Sequence, residues 1–247
     1  MTTINLSGRT ALVTGAAGGL GAAVAETLHN AGAQVALLDQ DSEANRHTAT
    51  RIGDSAVAIT ADLADLTQLD RAHREAVERL GTIDILVNNA AMAPMNGLWE
   101  IEPAEWDAVF AVNVRASFFL TRTVAEGMRT RGFGRVVNIA SLSGQKARPT
   151  SVHYGVSKAA LIAMTRNFAL DLAAHGVTVN AVAPGMIETP MVHTIGKQKM
   201  AELAADIPVG RIAEPTEVAD LVCFLAGDTG AFITGATYDI NGGVLMR

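Results

Sequence analysis

Seven short runs rich in Val, Ile, Leu and Ala recur along this chain, and helical sequence separates each from the next. They are Thr10–Gly15 (TALVTG), 34–39 (QVALLD), 56–62 (AVAITAD), 83–90 (IDILVNNA), 134–141 (GRVVNIAS), 176–184 (GVTVNAVAP) and 236–243 (ATYDINGG). Most are apolar at successive positions, so both faces of such a strand must be covered. Helical spacers rule out hairpins and leave parallel pairing through crossovers, with helices on both sides of the sheet. The expected fold class is therefore α/β: one Rossmann-type, doubly wound, seven-stranded parallel sheet with helices on both faces, forming a single unit over residues 1–247.

The chain has 49% hydrophobic but only 4% aromatic residues, with 23 glycines, a composition suited to close helix-on-sheet packing. One segment breaks the rhythm. Pro184 to about Pro208 follows a strand end, is rich in methionine and reads as a substrate lid at about 186–207. The net charge is −6 and no basic run occurs, which gives no electrostatic case for nucleic acid. Cys223 is the only cysteine, so no internal disulfide is expected, as suits a reducing compartment. The start has no apolar leader pattern, and no stretch is long and apolar enough to span a membrane. A cytoplasmic protein is the expectation. The six histidines show no ligand spacing, so no metal is expected.

After the first run comes TGAAGGLG, Thr14–Gly21. Gly15, Gly19 and Gly21 allow a tight turn and let a helix N-terminus approach a pyrophosphate, although glycines here also serve packing alone. Asp39 ends the second run, 18 residues after Gly21. A carboxylate there accepts hydrogen bonds from an adenosine ribose and repels a 2′-phosphate, which points to NAD rather than NADP. The alternative is a helix cap, since Asp39 and Asp41 both precede helical sequence. No arginine or lysine lies in the glycine turn to attract a phosphate.

Tyr154 and Lys158, in YGVSK, lie four apart and share a helix face. A free phenol is a poor base at neutral pH, and a neighbouring ammonium is expected to lower its pKa. Tyr154 then exchanges a proton with a substrate oxygen that Ser141, at a strand's carboxyl end, also holds. Taken singly, each has a plainer reading: a packing tyrosine, a solvated lysine, a serine in a turn. His153 points elsewhere on the helix and reads as structural. Trp99 and Trp106 read as packing residues, and Met92, Met95, Met186, Met191 and Met200 as a deformable pocket or as core filler.

Taken together, these pieces resemble the short-chain dehydrogenase/reductase family over essentially the whole chain. TGAAGGLG is similar to its TGxxxGxG turn, NNAA (Asn88–Ala91) to its NNAG motif with one added methyl at Ala91, YGVSK to YxxxK, and PGMIET (Pro184–Thr189) to its PG motif. Ser141 lies thirteen residues before Tyr154, as the family's serine does. The resemblance implies catalytic roles for Asn113, Ser141, Tyr154 and Lys158, with Asn113 holding a water that relays protons from Lys158. It implies cofactor contacts at Gly15, Gly18, Gly19, Leu20, Gly21, Asp39, Asp62, Leu63, Asn89, Ala90, Ala91, Tyr154, Lys158, Pro184, Gly185, Ile187 and Thr189. Asp62 would face the adenine and Thr189 the nicotinamide carboxamide. Ser141, Ser143, Gln145, Tyr154 and Met186 would meet the substrate. A homotetramer with 222 symmetry is implied as well.

The function expected is NAD-dependent hydride transfer between a secondary alcohol, or its ketone, and nicotinamide. Two rivals stand beside it. A non-catalytic dinucleotide sensor would not need Ser141, Tyr154 and Lys158 together. A 3-oxoacyl-[acyl-carrier-protein] reductase is disfavoured by Asp39, which disfavours NADPH, and by Leu170 and Asp171, where that subgroup usually offers a basic residue to the acidic carrier. The substrate pocket would be built from Ala93–Gly97, Leu142–His153 and Met186–Ile207. It has few charges beyond Lys146 and Arg148, which favours a neutral or largely apolar alcohol over a polyanion.

Overall fold

A computed structural model describes residues 4–189 and 197–247, with side chains from residue 200 in the second segment. Met191 and part of the expected lid at 186–207 lie outside the described residues.

Seven parallel strands form one sheet in the order β3-β2-β1-β4-β5-β6-β7. They are β1 (Thr10–Thr14), β2 (Gln34–Asp39), β3 (Ala56–Thr60), β4 (Ile85–Asn88), β5 (Gly134–Ile139), β6 (Val177–Pro184) and β7 (Thr237–Ile240). The expected runs at 56–62, 83–90, 134–141 and 236–243 overshot these ends. Their last residues leave the ladder and turn toward the crest of the sheet, where ligand-binding loops sit.

Helices α1 (Gly19–Asn30), α2 (Ser42–Ile52), α3 (Leu66–Leu80), α4 (Pro103–Phe110), α5 (Ser117–Arg131), α6 (Val152–Leu172), α7 (Lys197–Ala205) and α8 (Pro215–Ala226) fill the intervals. Neighbouring strand residues point to opposite faces, and each face has its own core. Val13, Val35 and Leu37 pack with Val24 and Leu28 of α1 and Val218 and Val222 of α8. Leu12, Ala36 and Leu38 pack with Leu69 of α3, Leu120 and Val124 of α5 and Leu172 of α6. That division explains why the strands read as apolar at every position.

The strand order reverses between β1 and β4. Connections leave this pair in opposite directions, which opens a crevice at their carboxyl ends. Deeper in, a buried polar chain crosses the sheet: Asn88 Nδ2 donates to Thr121 Oγ1 (2.9 Å) and Asn138 Oδ1 (2.8 Å), and Asn138 Nδ2 donates to Thr165 Oγ1 (2.9 Å). It ties β4, β5, α5 and α6 into one framework.

A π-helical stretch, Ala111–Ala116, separates α4 from α5 and carries Asn113. Trp99 is 95% exposed, contrary to its expected packing role. Trp106 stacks on Phe110 at 4.8 Å between ring centroids. Met92 and Met95 are exposed as well, so neither is core filler.

Candidate active site

At the reversal point the chain leaves β1 through Gly15 at φ +66°. A Cβ there would stand 2.8 Å from the Ala90 Cα, so only glycine lets the turn lie against the end of β4. Gly21 is tighter still: a Cβ would overlap the Gly15 carbonyl oxygen and come within 2.6 Å of Asn89 Nδ2. Asn89 fastens the turn by donating from Nδ2 to the carbonyls of Thr14 (2.9 Å) and Gly15 (3.1 Å). Thr14 Oγ1 accepts in return from the backbone N–H groups of Asn89 (3.0 Å) and Ala90 (3.1 Å). Thr14 was not among the expected site residues, because its role is visible only once β1 and β4 are neighbours.

Over this turn lies a cleft of about 750 Å³. Gly15, Gly18, Gly19, Leu20, Asp39, Asp62, Leu63, Asn89, Ala90, Ala91 and Thr189 all line it, from five separated parts of the sequence. Helix α1 begins there with no acidic residue in its first turn and no side-chain cap, so its leading N–H groups face an anion-binding position. Nothing stands within 4 Å of where a Cβ of Gly18 would be. A dinucleotide fits this donor set: glycine backbone for the pyrophosphate, Asp39 and Asp62 for the adenosine end, Thr189 across α1.

The capping alternative for Asp39 is resolved by its neighbour. Asp41 caps α2, accepting from Ala44 N at 3.0 Å. Asp39 lies on the cleft wall, where Oδ2 accepts from Ala17 N (3.0 Å) and Oδ1 from Asp41 N (3.1 Å). Asp62 Oδ1 accepts from Ala64 N at 2.8 Å.

The second half of the site stands beyond the end of β5. Ser141 opens a short 3₁₀ turn (Leu142–Gly144), and its Oγ accepts from Ser143 N at 3.1 Å. Tyr154 stands on the first turn of α6. Burial pushes its phenol above the ordinary value; Ser141 and the Arg148 charge pull the other way. Lys158 is fully buried one turn further on. Its Nζ donates to the Ile139 carbonyl at 2.6 Å and lies 5.6 Å from the centre of the Tyr154 ring. Burial pushes its ammonium down to about 7. The expected lowering of the phenol by Lys158 is therefore not what this geometry gives. Desolvation dominates both groups, and a half-neutral amine is a weak source of field.

Asn113 projects from the π-helical stretch. Its Oδ1 accepts from Met92 N (2.8 Å), and its Nδ2 donates to Met92 O (3.0 Å) and Ser157 Oγ (2.9 Å). Ser157 Oγ in turn donates to the Tyr154 carbonyl at 2.7 Å. Asn113 thus ties α6, close to Tyr154, to the strand-end loop at Met92. Ser157 was not foreseen, because a serine between Val156 and Lys158 carries no signal without its partner.

Other expected residues stand apart from the cleft. Pro184 ends β6. Gly185 donates to Ile240 O at 2.9 Å, and a Cβ there would meet Asn241 Cα at 3.0 Å. Ile187 packs against the α1–α8 core and bridges to Ala213. Met186 lines a separate cavity of about 190 Å³ with Ile207, Val209 and Gly242. Ser143 Oγ accepts from Arg148 Nη1 at 3.1 Å, and Gln145 Nε2 donates to Asp239 Oδ1 at 2.6 Å.

His153 is fully buried, with Nε2 2.9 Å from Glu105 Oε1. Glu105 Oε2 accepts from Asn96 Nδ2 at 2.6 Å, and Asn96 O accepts from Ser151 N at 2.9 Å. Ser151, at φ +56°, is the one non-glycine residue with positive φ among the described residues, and its Oγ donates to Pro94 O. The structural reading of His153 fits this ring, which clamps the 94–97 loop to the start of α6. No group of three or more potential metal ligands occurs among the described residues.

Residues 15–245 match a family model described as enoyl-(acyl carrier protein) reductase. The chain is 34% identical over 243 residues to the 3-oxoacyl-[acyl-carrier-protein] reductase FabG of Vibrio cholerae, covering 98% of this chain and 100% of that protein. It is 36% identical over 255 residues to a sorbitol dehydrogenase of Cereibacter sphaeroides, with coverage of 98% and 100%. Among solved structures, the 3-ketoacyl-(acyl-carrier-protein) reductase of Brucella melitensis complexed with NADH superposes with a TM-score of 0.92 at 31% identity, covering 98% of this chain and 100% of that one.

Proposed function

The chain belongs to the short-chain dehydrogenase/reductase family, and from that premise we propose that it is an NAD-preferring dehydrogenase of secondary alcohols, run by Ser141, Tyr154, Lys158 and Asn113. That it is an oxidoreductase acting between alcohols and ketones with a nicotinamide dinucleotide follows from the family and its members. The choice of NAD and the residue roles are our reading. One observation carries it: buried Lys158, bonded to the Ile139 carbonyl and 5.6 Å from the centre of the Tyr154 ring, next to a cleft whose wall presents Asp39.

When bound, a nicotinamide dinucleotide would supply the acceptor for a hydride from the carbinol carbon. The residues handle the other proton. Ser141 donates a hydrogen bond to the substrate oxygen and fixes it against the Tyr154 oxygen. Ionised Tyr154 takes the hydroxyl proton as the carbonyl forms, and in reduction the neutral phenol returns it. Since burial raises the phenol, oxidation should climb with pH and reduction should favour lower pH. Asp39 would accept from the adenosine ribose and oppose a 2′-phosphate. Initial rates with NAD and NADP over a panel of secondary alcohols test the reading; a tenfold preference for NADP, about 1.4 kcal/mol, overturns it.

The acyl-carrier reductase reading is favoured by the FabG and Brucella relatives. Against it, the carrier-facing stretch of α6 presents Leu170, 85% exposed, beside Asp171 rather than a cation. We further propose one catalytic unit over the chain, a cytoplasmic setting and a homotetramer. No helix among the described residues is long and apolar enough to cross a membrane. Exposed Phe118, Leu170 and Phe232 and the apolar groove of Phe110, Val114 and Phe119 support association. Light scattering should give four times the chain mass; a monomer at micromolar concentration overturns the tetramer.

A further inference from the structure

We propose that Arg148 is a specificity-determining residue that binds a carboxylate of the substrate, so that the preferred substrates are hydroxy acids and their keto acids. The inference rests on the oxidoreductase reading above and sharpens it.

The guanidinium of Arg148 is drawn onto the site rather than away from it. Its Nη1 donates to Ser143 Oγ at 3.1 Å, and Ser143 N donates to Ser141 Oγ at 3.1 Å. The cation is thus joined to the reacting position through two serines.

Among the described residues Arg148, like several other arginines, has no carboxylate partner within 4.0 Å; what marks it is its bond to Ser143, next to Ser141. One hydroxyl satisfies one of the five N–H donors of the fork. The remaining edge matches a carboxylate, which arginine binds bidentately. Gln145, on the same segment, is tied to Asp239. Arg148, unlike Lys146 on the same segment, is bonded to Ser143 beside Ser141 and keeps donors free for substrate. A single cation offsets the charge of one carboxylate, which amends the expectation of a neutral alcohol without inviting a polyanion. The neutral thioester of an acyl carrier gains nothing from such a group, so this residue also bears on the rival reading.

The test is a comparison of acids with their esters. NADH-dependent reduction is measured for acetoacetate and methyl acetoacetate, and for levulinate and methyl levulinate, with wild type, Arg148→Gln and Arg148→Lys. The wild type should favour at least one acid over its ester tenfold or more in kcat/KM. That ratio should fall tenfold or more in Arg148→Gln and recover in part in Arg148→Lys, with the loss mainly in KM for the acid. NADH binding by each variant verifies folding. An acid-to-ester ratio that is the same in wild type and Arg148→Gln overturns the proposal. So does turnover of no acid by a wild type that binds NADH. A wild type that neither binds NADH nor reduces any of the four overturns the oxidoreductase reading itself.

Discussion

The two halves of this site are built from different materials. The half proposed to hold nucleotide is made of backbone: a glycine turn wedged between β1 and β4, the bare N-terminus of α1, and one carboxylate at the end of β2. The half proposed to meet substrate is made of side chains: Arg148 to Ser143 beside Ser141, Asn113 to Ser157 and Met92, Glu105 to Asn96 beside His153. Backbone sites tolerate no added atom where chains touch, so they demand particular residues at fixed spacings. Side-chain sites can be assembled from many combinations, and substrate preference can change there while the cofactor half stays the same.

The largest effect that would break this division is on chemistry without binding. Tyr154→Phe should lower kcat about 10²–10⁴-fold, the range for a lost general acid–base, while the NAD dissociation constant stays within about twofold. Stopped-flow turnover and NAD titration measure both. Activity within tenfold of wild type would remove Tyr154 from the mechanism.

Next comes the buried amine. Lys158 titrates near 7 when folded against 10.5 in its ordinary state. Between those values the unfolded chain holds the extra proton, so raising pH favours the folded state. Wild-type stability should therefore gain on Lys158→Met by up to about 1.4 kcal/mol per pH unit between about pH 7 and pH 10. Denaturant melts of both proteins across that window measure the gap. A gap that is constant with pH would mean that Lys158 is not desolvated.

A smaller effect sharpens the nucleotide half. Asp39→Ala should shift the ratio of kcat/KM for NAD over NADP toward NADP by about tenfold or more, near 1.4 kcal/mol, with alcohol KM unchanged. An unchanged ratio would leave Asp39 only its bonds to Ala17 and Asp41.

The smallest concerns the clamp behind the substrate loop. Glu105→Ala frees Asn96 and leaves His153 without its neighbour, so alcohol KM should rise by about three- to tenfold while NAD affinity holds. An equal loss for both ligands would make the clamp a general stability element rather than part of the substrate half.

This contrast also sets what could be read from the sequence. The seven doubly apolar runs gave the sheet, because covered faces leave no room for alternation at Leu12 and Val13 or Ala36 and Leu37. Gly15 and Gly21 were legible because sterics single out glycine there. The resemblance placed Ser141, Tyr154 and Lys158. What it could not give was their electrostatics: adjacency suggested that Lys158 depresses the phenol, whereas burial governs both groups. Nor does a run of small polar letters announce that Ser157 receives Asn113, or that Thr14 receives Asn89. Those pairings join residues far apart in the chain. Met186, which the resemblance assigned to the substrate, lines a separate cavity with Ile207, Val209 and Gly242.

The pairing of β1 with β4 has a kinetic side. Thr10 and Asp84, hydrogen-bonded at the base of that pair, are 74 residues apart in the chain. A contact of such long range comes only after a costly loop closure, and parallel pairings of this kind slow folding. The glycine turn and Asn89 face each other only when that closure is complete. A nucleotide therefore has no binding site on a chain with β2 and β3 formed but β4 undocked. By mass action it stabilises the finished sheet by RT ln(1 + [L]/Kd), about 2.7 kcal/mol at a hundredfold excess over Kd. Refolding jumps with and without cofactor should thus share one folding rate and differ in unfolding rate, the bound molecule acting as a latch on the last strand pair to form.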